Sequence, residues 1–358
     1  MGNRGGPGSL LAETQTADTS RAAVEGLRAV LGEGAAFGPP WKLAGGAMHD
    51  SWAVDRSDDG GARELVVRVS PAGRADHEKT RREFEVLRVA FERGICCPEP
   101  IGLGQCTTGE DYLVMARVSG DANPRQLVAG EAFGTARERI IPQLANALAA
   151  IHTISPQDVP AAPSMRAPEA GQDPLQFERK VVEEAYETYL LNPHPAIEWA
   201  WRWLDRQLLG LTRTGLEPCV VHGDFRVGNM LYDEHGLTSV LDWEGTHVGE
   251  PEEDIAWFCT RVWRFGKPAL EAGGITSRET WIRAYELASG RMVSRERVAA
   301  WEVLQNIRWC QITMMQARAH LDGHTNSHEL AAIGRRTAET ELEILRLTGV
   351  VERVSRAG

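Results

Sequence analysis

The stretch VVHGDFRVGNMLYDEHGLTSVLDWEG, residues 220–245, constrains the fold more than any other part of the chain. "NMLYD" and "LTSVLDW" read as short strands, and "EHG" supplies a tight turn with a glycine where the chain reverses. Folding back around residues 234–236 sets Asn229 near residues 240–242. Asn229 and Asp242 then leave the hairpin at the end that also receives His222, Gly223 and Asp224. An amide oxygen beside a carboxylate, with a second carboxylate just upstream, is a donor set suited to Mg²⁺. That ion takes few protein ligands and leaves the rest of its shell to water or phosphate oxygens.

Asp224 precedes Asn229 by five residues, the spacing of proton acceptor and metal-binding Asn in kinase catalytic loops. Arg226, two residues beyond Asp224, is placed to neutralise charge on a transferring phosphoryl group. Phosphoryl transfer is the chemistry this pattern predicts. His222 is expected to be structural, fixing the loop through backbone hydrogen bonds. Glu244 reads equally as a metal or substrate contact and as solvated surface.

The remainder of the chain supplies the setting. At 358 residues it exceeds the usual single domain, so two lobes are expected. A formal charge of −11 argues against nucleic acid or an anionic membrane surface as the main partner. No apolar run approaches the length of a membrane span. The six cysteines form no CxxC pair and no disulfide-like framework, which predicts reduced thiols and a cytoplasmic location.

Residues 1–20 are rich in Gly, Ser, Thr and Ala and are expected to be loose, with a helix capped by Ser20 and ended by Gly32. From 41 to 118 the texture is β-rich. "WKLAGGAMHDSWAV" reads as strand, Gly turn and strand, "RELVVRVS" as a third strand, and "DYLVMARVSG" as the last. A helix over "DHEKTRREFEVLRVAFERG" lies between the last two, with Phe84, Leu87 and Phe91 as its predicted apolar face. Beyond 119 the pattern is helical. One helix begins around Pro142, a Pro-rich loop covers 154–175, and further helices cover 177–191, 196–211, 252–264, 278–289, 295–321 and 328–348. His320, His324 and His328 recur every four residues, but Gly323 and Asn326 predict a break there. Most of the tryptophans at 199, 201, 203, 257, 263, 301 and 309 are expected in the core, with Trp257 and Trp309 the first candidates for a pocket.

"VVHGDFRVGNMLYD…VLDWEGTHVGEPEEDIAWF" resembles the HGDxxxxN and (I/L)D(W/F)E…GDPxxDLA signature of the aminoglycoside phosphotransferase-like kinases. The resemblance covers about residues 36–345. Within the family it is nearest the kinase-like domains fused to, or encoded beside, acyl-CoA dehydrogenases. It implies an α+β, bilobal protein-kinase-like fold with a small β-rich N-lobe and a larger helical C-lobe. Residues 1–35 would form a flexible N-terminus and leading helix, 36–118 the nucleotide-binding N-lobe, and 119–350 the C-lobe with the catalytic and metal site.

By the same resemblance, Gly45 and Gly46 of "LAGGAMHDSW" belong to a Gly-rich nucleotide loop that approaches phosphates through backbone N–H groups. Arg68 stands where relatives carry the phosphate-pairing Lys, with Glu83 as its helix partner. Met115 and Arg117 fall on the hinge along the adenine edge, and Asp254 matches a buried Asp supporting the catalytic loop. Four positions depart from the pattern. Met48 and His49 close the Gly-rich loop, Arg117 stands where a Glu is frequent, and Glu250 replaces the Asp of "GDP". ATP with Mg²⁺ is the implied cofactor pair, GTP being the alternative nucleotide, and a small hydroxylated molecule is the implied acceptor. Two rival readings are an aminoglycoside or macrolide phosphotransferase and a nucleotide-binding module without catalysis.

Overall fold

The computed structural model describes residues 7–43, 49–58, 61–70, 72–161, 164–211, 218–323 and 328–351. The chain divides into two compact units, one of residues 1–121, 156–165 and 238–246, the other of residues 122–155, 166–237 and 247–358.

The first unit is built on helix α1 (Pro7–Leu31), strands β1 (Trp41–Lys42), β2 (Asp50–Asp58) and β3 (Gly61–Ser70), helix α2 (His77–Glu92), and strands β4 (Pro100–Gln105) and β5 (Asp111–Ala116). The strands form one antiparallel sheet in the order β1-β2-β3-β5-β4. Alternation along β3 decides what each face does. Leu65, Val67 and Val69 are buried with Ala22, Ala23 and Leu27 of α1, together with Trp52, Tyr112 and Val114. Burying each large apolar side chain of this set contributes about 1.5–3 kcal/mol. Arg68 points to the opposite face, where Glu83 of α2 meets it.

Two local expectations change here, and one strand was not foreseen. Helix α1 begins at Pro7 and runs through Ser20, so Ser20 caps nothing. "PIGLGQ" is a strand rather than a connection, because its glycines admit close neighbours. A Cβ at Gly102 would lie 2.6 Å from Val30 of α1, and α1 in turn comes close through its own Gly26, where a Cβ would lie 2.7 Å from the Tyr112 ring of β5. The buried face of α2 is Glu83, Val86, Leu87 and Ala90, while Phe91 is exposed.

In the second unit, α3 (Pro124–Ala129) and α4 (Gly134–Ile151) precede α5 (Pro174–Tyr189) and α6 (Pro195–Leu208). Strand β6 (Cys219–Val221) follows, then the hairpin strands β7 (Met230–Asp233) and β8 (Gly236–Val240), the latter running on into the first unit, and β9 (His247–Gly249). Helices α7 (Pro251–Cys259), α8 (Arg278–Ser289), α9 (Arg295–Leu321), α10 (His328–Ile333) and α11 (Thr337–Leu347) complete it. β6 pairs antiparallel with β9, with Val221 opposite His247.

The long helix α9 buries residues on nearly every side, including Arg297, Glu302 and Asn306, and packs against α5, α6, α7, α10 and α11. Helix α4 does not begin at Pro142 but contains it. The missing N–H forfeits only the bond to the carbonyl of Glu138, an exposed residue that water can serve. The expected helix over 328–348 breaks into α10 and α11 at Gly334, where a Cβ would stand 2.8 Å from Ala317 of α9. All six cysteines are free. Among the described residues no helix is long and apolar enough to cross a membrane.

Candidate active site

Strand β6 is buried and delivers His222, Gly223 and Asp224 at its end. Asp254, on the first turn of α7, fixes this loop from below. Its Oδ2 accepts the His222 N–H at 2.7 Å and its Oδ1 the Gly223 N–H at 2.9 Å. His152 at the end of α4 stands 3.1 Å from Asp254 Oδ2, and its other ring nitrogen is 2.8 Å from the Tyr285 hydroxyl of α8. Burial pushes the Asp254 carboxyl upward, but the His152 hydrogen bond and charge and the loop N–H groups outweigh it and hold it below the usual carboxylate range. Gly223 has φ +76, a left-handed turn that suits glycine. His222 is fully buried, and its Nδ1 accepts the Asp224 N–H at 3.3 Å.

Asp224 is brought together with Arg226 and Asn229. Arg226 Nε donates to both carboxylate oxygens, at 3.0 and 3.1 Å. Asn229 Nδ2 donates to Asp224 Oδ2 at 2.6 Å and to its backbone carbonyl at 3.0 Å. With its nitrogen so engaged, the Asn229 amide offers its Oδ1, a hard oxygen donor of the kind Mg²⁺ accepts.

Sequence reasoning named Trp257 only as a pocket candidate. Its indole N–H in fact donates to Asp224 Oδ1 at 2.6 Å. The signal was its place three residues after Asp254, one helical turn along the face that supports the loop. Trp257 meets Trp263 edge-on at 5.4 Å, and Trp263 meets Trp309 at 5.0 Å. Arginines cover these rings, Arg226 at 4.5 Å over Trp263 and Arg308 at 5.0 Å over Trp257.

A buried group behind the loop, Glu178, His247 and Glu253, has metal-ligand types. Arg166 and Arg308 already stand against the two carboxylates. Burial works against a charged His247, yet Glu253 and Glu178 raise its pKa, so the group reads as an ion-pair network. Of the three spaced histidines, His324 lies outside the described residues, and α9 ends at Leu321.

The first unit holds the other residues that the sequence singles out. Arg68 pairs with Glu83, and its Nη1 is 3.8 Å from Asp242 Oδ1. Burial works against the guanidinium, but Glu83, Asp242 and Glu244 raise its pKa, so it is firmly cationic. Asp242 has φ +65, uncommon for a residue with a side chain and frequent at functional positions.

Glu244 is no solvated surface residue. Its Oε2 lies 2.6 Å from His49 Nε2 and 3.1 Å from Lys79 Nζ, and His49 Nδ1 is 2.9 Å from the Ser70 hydroxyl. Burial alone would raise the Glu244 carboxyl; the His49 hydrogen bond with the Lys79 and Arg68 charges brings it down to about 2. His49, a departure from the family pattern, thus has two defined partners, and nothing in the sequence pointed to them. His49, Arg68, Lys79, Glu83 and Glu244 line a small cavity with Arg74 and Asp76, in which cationic and carboxylate side chains are evenly matched.

Met115 lies on β5 opposite Val66 of β3. The Arg117 guanidinium bonds Glu64 at 2.6 Å and covers the Trp41 ring at 5.7 Å. Gly45 and Gly46 lie outside the described residues.

Comparison with known proteins follows the same lines. Acyl-CoA dehydrogenase family member 11 of Pongo abelii is 24% identical over 317 residues, which is 83% of this chain and 40% of that protein. The chain spans two-fifths or less of the length of the curated relatives it matches. A crystal structure from Ralstonia eutropha, provisionally assigned as an aminoglycoside phosphotransferase, superposes with a TM-score of 0.71 at 19% identity, covering 91% of this chain and 98% of that one. The GDP complex of aminoglycoside 2'-phosphotransferase-IIIa superposes at 0.59 with 14% identity, covering 93% and 99%. The bilobal protein-kinase-like fold is thereby shown. Residues 42–301 match the model of the phosphotransferase enzyme family, and the chain belongs to that family.

Proposed function

We propose that this chain is a Mg²⁺-dependent kinase that moves the γ-phosphoryl group of ATP, or of GTP as the alternative nucleotide, to the hydroxyl of a small molecule. The observation that carries the reading is the Asp224 carboxylate, held by Asn229 and Arg226 within the HGDxxxxN loop. Asp224 takes the proton of the attacking hydroxyl. Arg226 and Arg68 steady phosphate oxygens, and Glu83 keeps Arg68 in place. Gly45 and Gly46 cradle phosphates, and Met115 and Arg117 border the base. Asn229 and Asp242 hold Mg²⁺, which neutralises phosphate charge when bound. Positioning and charge stabilisation supply most of the acceleration, since no covalent intermediate is required.

For the acceptor we favour a hydroxyacyl compound. The acyl-CoA dehydrogenase names of the relatives point that way. A nucleotide-binding module without catalysis has no use for a carboxylate held by three side chains.

The test is ATP consumption by the purified protein with a panel of hydroxyacyl thioesters, hydroxy acids, aminoglycosides and macrolides. Turnover is expected with a hydroxyacyl compound and to be lost in Asp224→Ala while nucleotide affinity stays within about twofold. Turnover that survives this substitution refutes the assignment of the proton acceptor; turnover only with an antibiotic refutes the acceptor class.

A further inference from the structure

Asp224 is engaged more completely than a proton acceptor awaiting substrate needs to be. Oδ1 accepts from Trp257 Nε1 at 2.6 Å and from Arg226 Nε at 3.0 Å. Oδ2 accepts from Arg226 Nε at 3.1 Å and from Asn229 Nδ2 at 2.6 Å. A carboxylate offers about four lone-pair directions. One N–H of Arg226 straddles the pair between the oxygens, and Trp257 and Asn229 take one oxygen each. The donors are also joined to one another, because Arg226 lies 4.5 Å over the Trp263 ring and Trp263 packs edge-on at 5.4 Å against Trp257. Asp224, Trp257, Trp263 and Arg226 close a ring.

We propose that Trp257 and Trp263 are positioning residues that keep Asp224 masked in this ring, and that a phosphate unmasks it by drawing Arg226 away. The proposal rests on the reading of Asp224 as proton acceptor. A guanidinium that leaves a carboxylate for a phosphate exchanges one charge-assisted contact for another of greater charge, so the switch needs no other driving group. Trp257 stays on Oδ1 throughout, leaving the direction that Arg226 vacates as the one able to receive a proton. Water is then disfavoured as an acceptor, since an aligned hydroxyl must meet that single opening.

Removing the indole N–H opens a second direction on Oδ1. A water there gives its proton to Asp224 and its oxygen bonds to the γ-phosphorus. The bond from that phosphorus to the bridging oxygen breaks, giving ADP and inorganic phosphate. The experiment measures phosphate release from Mg·ATP by the full chain without acceptor, with Mg·AMP-PNP affinity and melting temperature as controls of folding. Trp257→Phe keeps a ring and loses the donor; it is expected to release phosphate about tenfold faster than the parent, the scale of one hydrogen bond to a charged group. Trp257→His restores an N–H and is expected to return the rate towards the parent's. The Asp224→Ala, Trp257→Phe double variant is expected to fall to background.

Equal rises in the Phe and His variants would mean lost packing and overturn the proposal, as would no rise in Trp257→Phe. If Trp257→Phe does not fold, Trp263→Leu, which frees Arg226 from its stack, must show the rise instead. Failure of the two ideas is distinguishable. Turnover that persists in Asp224→Ala removes the proton acceptor itself. An inactive Asp224→Ala beside unchanged release in Trp257→Phe and Trp263→Leu removes the masking ring alone.

Discussion

Substituting Asp254 by Ala tests how the loop of His222, Gly223 and Asp224 is held. The side chain is fully buried and satisfies the N–H groups of His222 and Gly223 as well as His152. Its removal orphans two buried backbone donors, each worth about 1–3 kcal/mol. Breaking a buried charged pair by deleting one partner costs about 3–5 kcal/mol in total, and the two estimates overlap because they count the same desolvated groups. A loss near 4 kcal/mol lowers the melting temperature by about 8–16 °C for a unit of this size. Asp224 follows directly on the orphaned amides, so its displacement by about 1 Å lowers turnover by about 100-fold.

The acid dependence has a definite sign. The folded carboxyl sits below its unfolded value, so its contribution is complete above about pH 4 and fades as pH falls through the lower folded pKa. The parent and Asp254→Ala should therefore differ by a constant amount from pH 5 to 7 and converge in stronger acid. Calorimetric melts across that range, together with turnover at neutral pH, measure both effects. An Asp254→Ala protein that melts within about 2 °C of the parent and keeps its turnover would show that water serves the two amides and that the loop is anchored elsewhere.

Glu244→Gln loses the pairing with His49 and Lys79. Because the folded carboxyl lies at about 2, its contribution, at most about 3 kcal/mol, is present above pH 4.5 and disappears towards pH 2. Urea denaturation of parent and variant between pH 3 and 7 measures this, and a gap that widens in acid contradicts it. Arg68→Ala leaves Glu83, 3% exposed, buried without its cation and should destabilise by about 3–5 kcal/mol. The Arg68→Met, Glu83→Leu pair should regain most of that stability in denaturation while remaining unable to bind AMP-PNP; regained binding would remove Arg68 from the phosphate site.

The parts of the fold that were legible in the sequence are those where one local rule decides. The spans of α8 and α9 follow from their Ser caps and apolar period, and the hairpin of β7 and β8 from its turn glycine. What escaped depends on tertiary contact. β4 reads as loop because Gly102 and Gly104 have low strand propensity, yet they are there to admit Val30 and Tyr112. Pro142 looks like a start signal, but the packing of α4 against α8 overrides it. Phe91 fits the helical period of α2 and still faces water, since Val86 and Ala90 define the stripe that meets the sheet.

The candidate site divides in the same way. Asp224, Arg226 and Asn229 sit within six residues, so spacing alone implied that they gather. The indole of Trp257 reaches Asp224 from 33 positions away, and His49 meets Glu244 across 195. No periodicity connects positions so far apart.

The contact of Gly26 with Tyr112 and of Gly102 with Val30 bears on where this protein can be cut. The family match begins at residue 42, beyond α1, so trimming to that boundary takes away the helix that shields Leu65, Val67, Tyr112 and Val114. A truncated form of that kind would present a bare, greasy sheet to solvent, the sort of surface through which chains clump. The leading helix is accordingly a wall of the first unit, and shortened versions for study should keep it.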